Sequence, residues 1–161
     1  MKKYRSVIIL LNLLVVMALF NKSVFDKEEL LENGDLVLLK LAPVDPRSLM
    51  QGDYMRLNYA IANDVDTEKI VKRGYCIITL DSMGVAQRVR LQEKKQPLNI
   101  GEYAIFYTKD NWQINIGADA YFFEEGQAEK FEEAEYGGLI VDQEGDNVLV
   151  GLYDENLKLI E

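Results

Sequence analysis

Residues 51–62 read QGDYMRLNYAIA and form the longest well-patterned strand candidate of the chain. Large apolar side chains recur there at every second position, namely at Met55, Leu57, Tyr59 and Ile61. The positions between them hold Tyr54, Arg56, Asn58 and Ala60. A period of two residues is typical of a β-strand with one buried face. The pattern therefore predicts a strand whose first set of side chains lies in the core and whose second set faces outward.

The residues before this strand have the composition of a turn. Asp45-Pro46 can begin one helical turn, with the aspartate as N-cap and the proline at the first helical position. Arg47 follows and is expected to pair with a carboxylate. Gly52 then allows a positive φ, and Asp53 can hydrogen-bond the local backbone. We expect these residues to fix the point at which the strand begins.

The segment GDYMRLNY, which runs from Gly52 to Tyr59, resembles the G-D-Y-x-x-L-x-Y signature of the bacterial GDYXXLXY protein family at every fixed position. The resemblance covers nearly all of the chain beyond residue 34. It includes Asp45-Pro46-Arg47, Tyr121-Phe122, Glu125-Gly126, Gly145, Leu149 and Gly151-Leu152. It implies a small anchored protein of a kind often encoded beside polytopic membrane proteins, and it brings no established activity with it.

The composition is that of one folded domain that is rich in acidic residues. Of the 161 residues, 48% are hydrophobic and 28% are charged. The net charge is −9, and the few charges before Asp26 are all basic, so the remainder is more acidic still. This balance disfavours nucleic acid or an anionic membrane surface as the main partner. The chain has no histidine, and its one cysteine, Cys76, cannot form an intramolecular disulfide. We expect no metal site and no cofactor.

The N-terminal segment is apolar enough to cross a membrane. Residues 7–20 read VIILLNLLVVMALF, with Asn12 as the one polar side chain, and the flanking residues extend the segment to about the 20 that a bilayer requires. We predict an uncleaved anchor whose helix ends at Asn33-Gly34. The alternative is a cleaved signal peptide, which the lack of a small-x-small pair after the apolar run disfavours.

The charges around this segment predict its orientation. Basic residues precede it, at Lys2, Lys3 and Arg5, and acidic residues follow it, at Asp26, Glu28 and Glu29. Such an asymmetry favours a cytoplasmic N-terminus. The expected organisation is a single-pass anchor in the cytoplasmic membrane, residues 1–33, followed by a periplasmic or extracellular domain, residues 34–161.

Short strands joined by tight turns dominate the rest of the chain. Residues 35–41 predict a strand buried on both faces, and residues 118–123 show strand-like alternation. Three hairpins are expected in residues 74–92, 103–116 and 139–153. One helix is expected at residues 127–135, with Gly137-Gly138 as its end. The predicted fold is mainly β with one short helix, as a barrel or a sandwich, after an N-terminal transmembrane helix.

Two arrangements of residues suggest chemistry but are incomplete. Ser48 before Gly52-Asp53 resembles a Ser/Lys hydrolase of the signal-peptidase type, but the nearest downstream lysines, Lys69 and Lys72, lie in a polar segment. The acidic run at Asp142, Glu144 and Asp146 lacks the order of a calcium loop and is typical of a hairpin turn. We therefore expect no enzyme, and the hydrolase remains the alternative function.

The signature is the best candidate for a binding surface. Tyrosine and arginine are the residue types that most often anchor interfaces. The candidate binding residues are Tyr54, Arg56, Asp53, Asp45 and Arg47, and the structural residues of the motif are Gly52, Leu57, Tyr59, Glu125 and Gly126. The competing interpretation is that the whole motif is structural. The expected function is an accessory module that binds a neighbouring polytopic membrane protein.

Overall fold

The computed structural model of the chain describes residues 5–42, 54–110 and 113–161. An apolar helix, α1, occupies Arg5–Asn33 and ends where the sequence predicts. The backbone N–H of Gly34 donates to the carbonyl of Leu30 at 2.9 Å, and Leu30 is buried against the domain. A Cβ on Gly34 would lie 2.7 Å from that carbonyl oxygen and would run into Ile140, so glycine is required where the helix meets the domain.

The part of α1 from Val7 to Asn33 is long and apolar enough to cross a membrane, and its apolar window is wholly exposed. A helix of 27 residues is about 40 Å long, which exceeds the thickness of a hydrocarbon core. This length and composition fit a membrane anchor or a signal sequence.

The first sheet joins the beginning and the end of the domain. Strand β1, Asp35–Lys40, pairs antiparallel with β8, Tyr136–Val141, which pairs antiparallel with β9, Asn147–Tyr153. Val37, Leu38 and Leu39 are all buried, so the middle of β1 is covered on both faces as predicted. Leu36, near its start, is exposed.

The second sheet has four strands in the order β4-β3-β5-β6. It consists of two hairpins, which are β3 and β4, at Arg73–Leu80 and Ala86–Gln92, and β5 and β6, at Glu102–Lys109 and Ile114–Ile116. The predicted turn between β3 and β4 is confirmed. Asp81 accepts hydrogen bonds from the backbone of Met83 and Val85, and Gly84 has a φ of 80°.

The third sheet is a small antiparallel pair made by the signature. Strand β2, Tyr54–Arg56, pairs with β7, Ala120–Phe122. A short helix, α2, follows at Ala128–Phe131, and single 3₁₀ turns lie at Ala60–Ala62 and Thr67–Lys69. The predicted class, mainly β with few helices after an apolar helix, is confirmed by these three sheets.

Two details of the helix predicted in the domain are wrong. The helix expected at residues 127–135 is only Ala128–Phe131, and Gly137-Gly138 lies inside β8 instead of ending a helix. A Cβ on Gly138 would run into the ring of Tyr153, and one on Gly137 would lie 3.0 Å from Cε1 of Tyr59. The glycines are needed because two tyrosine rings cover this strand.

One apolar core lies between the three sheets. It contains the inward side chains of the signature together with residues of the other two sheets, among them Val37, Leu39, Cys76, Ile78, Ile105, Leu139 and Leu152. The inner face of the signature is therefore part of the core of the domain.

Candidate functional site

The inner face of the signature is buried as its alternation predicts. Met55, Leu57, Tyr59 and Ile61 all belong to the core. The regular strand, however, is only Tyr54–Arg56, far shorter than the expected span. The N–H of Leu57 still donates to the carbonyl of Asp119 at 2.9 Å, in register with β7, and the partner then changes, because Tyr59 forms a single bridge with Leu41. Buried side chains therefore still recur at every second residue beyond Arg56, although the regular strand ends there.

Tyr59 holds the signature to the residues just before β7. Its hydroxyl donates to the carbonyl of Ala118 at 2.9 Å, and its ring packs over Gly137. Burial, with Asp119 nearby, raises the pKa of Tyr59 well above its ordinary value. The phenol is therefore a neutral donor with a structural role, which confirms its assignment to the core.

Arg88 fixes the segment that follows the signature. Its guanidinium donates to the carbonyls of Ile61 at 2.5 Å, Asn63 at 2.7 Å and Asp64 at 3.4 Å. Asp64 has a φ of 52°, a left-handed conformation that aspartate tolerates. Arginine suits this position because its fork presents several donors in fixed directions.

The outer side of the β2–β7 pair carries exposed aromatic surface. Tyr54 is opposite Phe122 in the register, and their ring centroids are 5.6 Å apart at an interplanar angle of 37°. Phe122 is 75% exposed, and Arg56 is also exposed. We call Tyr54, Arg56 and Phe122 the outer aromatic face. It unites two predicted site residues with one that the sequence reasoning did not select.

The other side of the same pair is packed against α2. The ring of Tyr121 meets that of Phe131 edge-on at 5.1 Å, and Phe123 stacks on Phe131 at 5.3 Å. Aromatic pairs in these geometries contribute stability beyond the area they bury. The outer aromatic face is therefore mounted on a support whose inner side chains are fixed.

The remaining predicted residues divide into two groups. Asp45, Arg47, Ser48, Gly52 and Asp53 lie outside the described residues. Glu125 and Gly126 form the turn between β7 and α2, where Glu125 is exposed and Gly126 has a φ of 85° with open space around it. Glycine is needed at that turn for its backbone conformation alone.

The lysines of the hydrolase alternative are not desolvated. The side chain of Lys69 is 83% exposed and lies 2.6 Å from a carboxylate oxygen of Asp66, and Lys72 is exposed. A lysine that serves as a base must lose its proton near neutral pH, which requires a desolvated or cationic surrounding. Neither residue has such a surrounding.

The acidic run is a hairpin turn. One carboxylate oxygen of Asp142 accepts hydrogen bonds from the backbone of Glu144 at 2.8 Å and Asp146 at 2.9 Å. These bonds are typical of an Asx turn. Over residues 5–42, 54–110 and 113–161, no group of three or more histidine, cysteine, aspartate or glutamate side chains is arranged to hold a metal ion.

A half-buried ion pair lies outside the signature. Arg90 and Glu102 form two hydrogen bonds of 2.6 and 2.9 Å, and the side chain of Glu102 is only 6% exposed. The guanidinium, together with the N–H of Asn99, lowers the pKa of Glu102 to about 2. Arg90 also donates to the carbonyl of Pro97. The pair thus closes the loop of residues 93–101, a role for which the sequence offers no motif.

Comparison with known proteins gives one result at the level of the family. No curated protein and no solved structure matches the chain. The model of the family described as GDYXXLXY protein matches residues 16–152, which include the last part of the apolar segment, all of β1 to β8 and most of β9. Because the match covers nearly the whole chain and contains the complete signature, the chain belongs to the GDYXXLXY family.

Proposed function

We propose that the protein is a membrane-anchored accessory module, which presents an extracytoplasmic β domain to a neighbouring polytopic membrane protein. One observation carries the binding role, the outer aromatic face, on which Phe122 is 75% exposed beside Tyr54. Aromatic residues are enriched among those that anchor interfaces, and here two aromatic rings lie side by side on a well-packed support.

The anchor is supported by the N-terminal helix and the charges around it. The apolar stretch that begins at Val7 is exposed, basic residues precede it at Lys2, Lys3 and Arg5, and acidic residues follow it from Asp26. In this orientation the domain lies on the periplasmic or extracellular side. The helix continues without interruption into the domain, where Leu30 is buried, so the module stands directly on its anchor.

The composition of the outer aromatic face supports a protein partner. Tyrosine, phenylalanine and arginine are enriched at the cores of interfaces, and the register places one of each on the same surface. The acidic charge of the domain argues against nucleic acid. The inner side chains of the β2–β7 pair are already packed, so binding would order few additional groups.

A binding role is also supported by the surroundings of the possible nucleophiles and bases, which do not activate them for catalysis. There is no histidine in the sequence, and Cys76 is buried with a pKa raised by that burial to about 12. The lysines nearest to Ser48 in the downstream sequence are solvated. We therefore propose a binding module in preference to a Ser/Lys hydrolase.

The experiment is a capture from membranes in mild detergent, with a tag placed after Glu161. We expect the unchanged chain to retain a polytopic membrane protein and Phe122→Ala to lose most of it. Met83→Ala is the matched control, because Met83 is also an exposed apolar residue but lies in the turn between β3 and β4, outside the outer aromatic face. Equal capture by the two variants, or an unchanged chain that purifies alone, contradicts the proposal.

A further inference from the structure

The end of the domain next to α1 has a defined position along the helix. The turn between β8 and β9, residues 142–146, faces the last two turns of α1, and a cavity between them is lined by residues that include Asp26, Asn33, Asp142 and Glu144. Asp26 immediately follows the apolar stretch. If α1 spans a bilayer, as proposed above, this turn lies at the level where the helix leaves the hydrocarbon.

The loop of residues 93–101 lies beside this turn. Lys95 forms an ion pair of 2.8 Å with Glu144, and Lys95 also lines a second cavity together with Asp35 and with Asp142 of the turn. Tyr103, just after the loop, donates to the carboxylate of Asp35 at 3.1 Å. Because Asp35 is the second residue after α1, the loop is at the same end of the domain as the helix.

The loop is firmly held and yet displays an apolar side chain. Gln92 donates to the carbonyls of Lys94 at 2.7 Å and Lys95 at 2.9 Å, and the carboxylate of Glu102 accepts from the backbone of Asn99 at 2.8 Å. Ile100 nevertheless is fully exposed, and Lys94 is exposed in the same loop. A fixed loop gains no folding stability from an isoleucine that touches only water.

We infer that residues 93–101 are a second membrane contact, in which Ile100 enters the interface of the bilayer that α1 spans and Lys94 lies among the lipid phosphates. An apolar side chain accompanied by lysine is the composition of segments that bind at membrane interfaces. The two contacts hold the domain in one orientation on the membrane. This inference rests on the uncleaved anchor of the proposed function.

The acidic charge of the domain disfavours contact between the membrane and the rest of the domain surface, so the proposed contact is limited to this loop. The net charge of −9 repels an anionic surface. Within the loop, Glu93 offsets the charge of Lys94 and Lys95 is already paired with Glu144, so the loop with its ion-pair partner carries no net positive charge. The contact therefore depends mainly on the burial of Ile100, and it forms on zwitterionic as well as on mixed membranes. A phospholipid bilayer is the partner that fits both the position and the chemistry.

The test places a fluorescent label on the loop of the full-length chain. Ile100→Cys is labelled with an environment-sensitive maleimide and reconstituted into phosphatidylcholine vesicles, with or without phosphatidylglycerol. Leu159→Cys is the matched control. It replaces an exposed aliphatic residue that pairs with Tyr153. Tyr153 is at the far end of β9, seven residues and about 20 Å from the β8–β9 turn. Cys76 is buried, so its thiol stays unlabelled in the folded chain.

We expect the label at position 100 to emit at shorter wavelength than the label at position 159 and to be quenched by spin-labelled lipid. The label at position 159 should keep its aqueous emission. A chain that stays with the vesicles while both labels remain unquenched overturns the membrane contact and leaves the anchor intact. A chain that is processed and released from the membrane overturns both.

Discussion

Leu57 and Arg56 are neighbours in the signature, but they lie in opposite environments. Leu57 is buried in the core, whereas Arg56 is exposed on the outer aromatic face. We expect Leu57→Ala to lower the free energy of unfolding by about 2–5 kcal/mol, because it removes buried surface and leaves a cavity. Arg56→Ala should change it by less than about 0.5 kcal/mol, as is usual at exposed positions.

The measurement is chemical denaturation in detergent, combined with capture of the partner. Arg56→Ala is expected to weaken capture while its denaturation curve stays close to that of the unchanged chain. If the two substitutions cost similar stability, the signature is a structural device on both faces, and the docking role is lost.

The Arg90–Glu102 pair predicts a dependence of stability on pH. The pKa of Glu102 is about 2 in the folded chain, below its ordinary value of 4.5. A carboxyl group with a lowered folded pKa stabilises fully above its unfolded pKa, and this contribution is lost as the pH falls through the folded value. Glu102→Gln should therefore be less stable than the unchanged chain at pH 7, and the difference should shrink between about pH 4.5 and pH 2.

The check is a series of denaturation curves of both chains from pH 7 to pH 2. Asp66→Asn is the control, since Asp66 pairs with a largely exposed lysine and such surface pairs contribute little. A difference between Glu102→Gln and the unchanged chain that is constant down to pH 2 would refute this role of the ion pair.

At the residue scale, the sequence predicted burial better than it predicted exposed partners. The period of two assigned Met55 and Leu57 to the core, because the burial of side chains is a property of the local pattern. It could not select Phe122, whose position beside Tyr54 depends on the register between two distant segments. Pairing between strands is set by the whole fold and is not encoded in either segment alone.

At the scale of elements, strand β8 depends on a close approach of aromatic rings. Gly138→Ala would place a Cβ 2.4 Å from Cε2 of Tyr153, so we expect strong destabilisation, above the usual cost of about 1 kcal/mol for a point mutation. Tyr153→Val in the same chain removes the ring and should recover part of the loss. The measurement is the melting temperature of both single variants and the double variant. Additive losses would exclude this contact as the cause.

The same contact explains why the end of the predicted helix was wrong. Two adjacent glycines after an amphipathic segment are a common helix terminator, and the sequence around Gly137-Gly138 agrees with that pattern. The rings of Tyr59 and Tyr153 that require these glycines come from other strands. Hairpin turns were predicted correctly because their signals are local, as at Asp81 and Gly84.

At the scale of the whole molecule, one sheet contains both the first strand and the last strand of the domain. Strand β1 directly follows the apolar helix, and the last strand, β9, is in the same sheet. The sheet and the helix meet at Gly34, where the space left by neighbouring atoms allows no side chain. The predicted division between residues 33 and 34 remains a prediction, and in the structure the two parts meet through this contact without a linker.

The last prediction concerns the topology of the chain in its membrane. A reporter fused after Glu161 that is active only outside the cytoplasm should be active, and the fusion should stay in the membrane fraction after a carbonate wash. The physical reason is that basic residues before an apolar segment, here Lys2, Lys3 and Arg5, favour a cytoplasmic N-terminus, while α1 is long enough to span a bilayer and leads directly into the domain. A reporter that is active only in the cytoplasm is the matched control and should be silent at the same position. Recovery of a shortened, soluble fusion would show that a peptidase removes the apolar segment, and the chain would then be a secreted domain that meets its partner without an anchor.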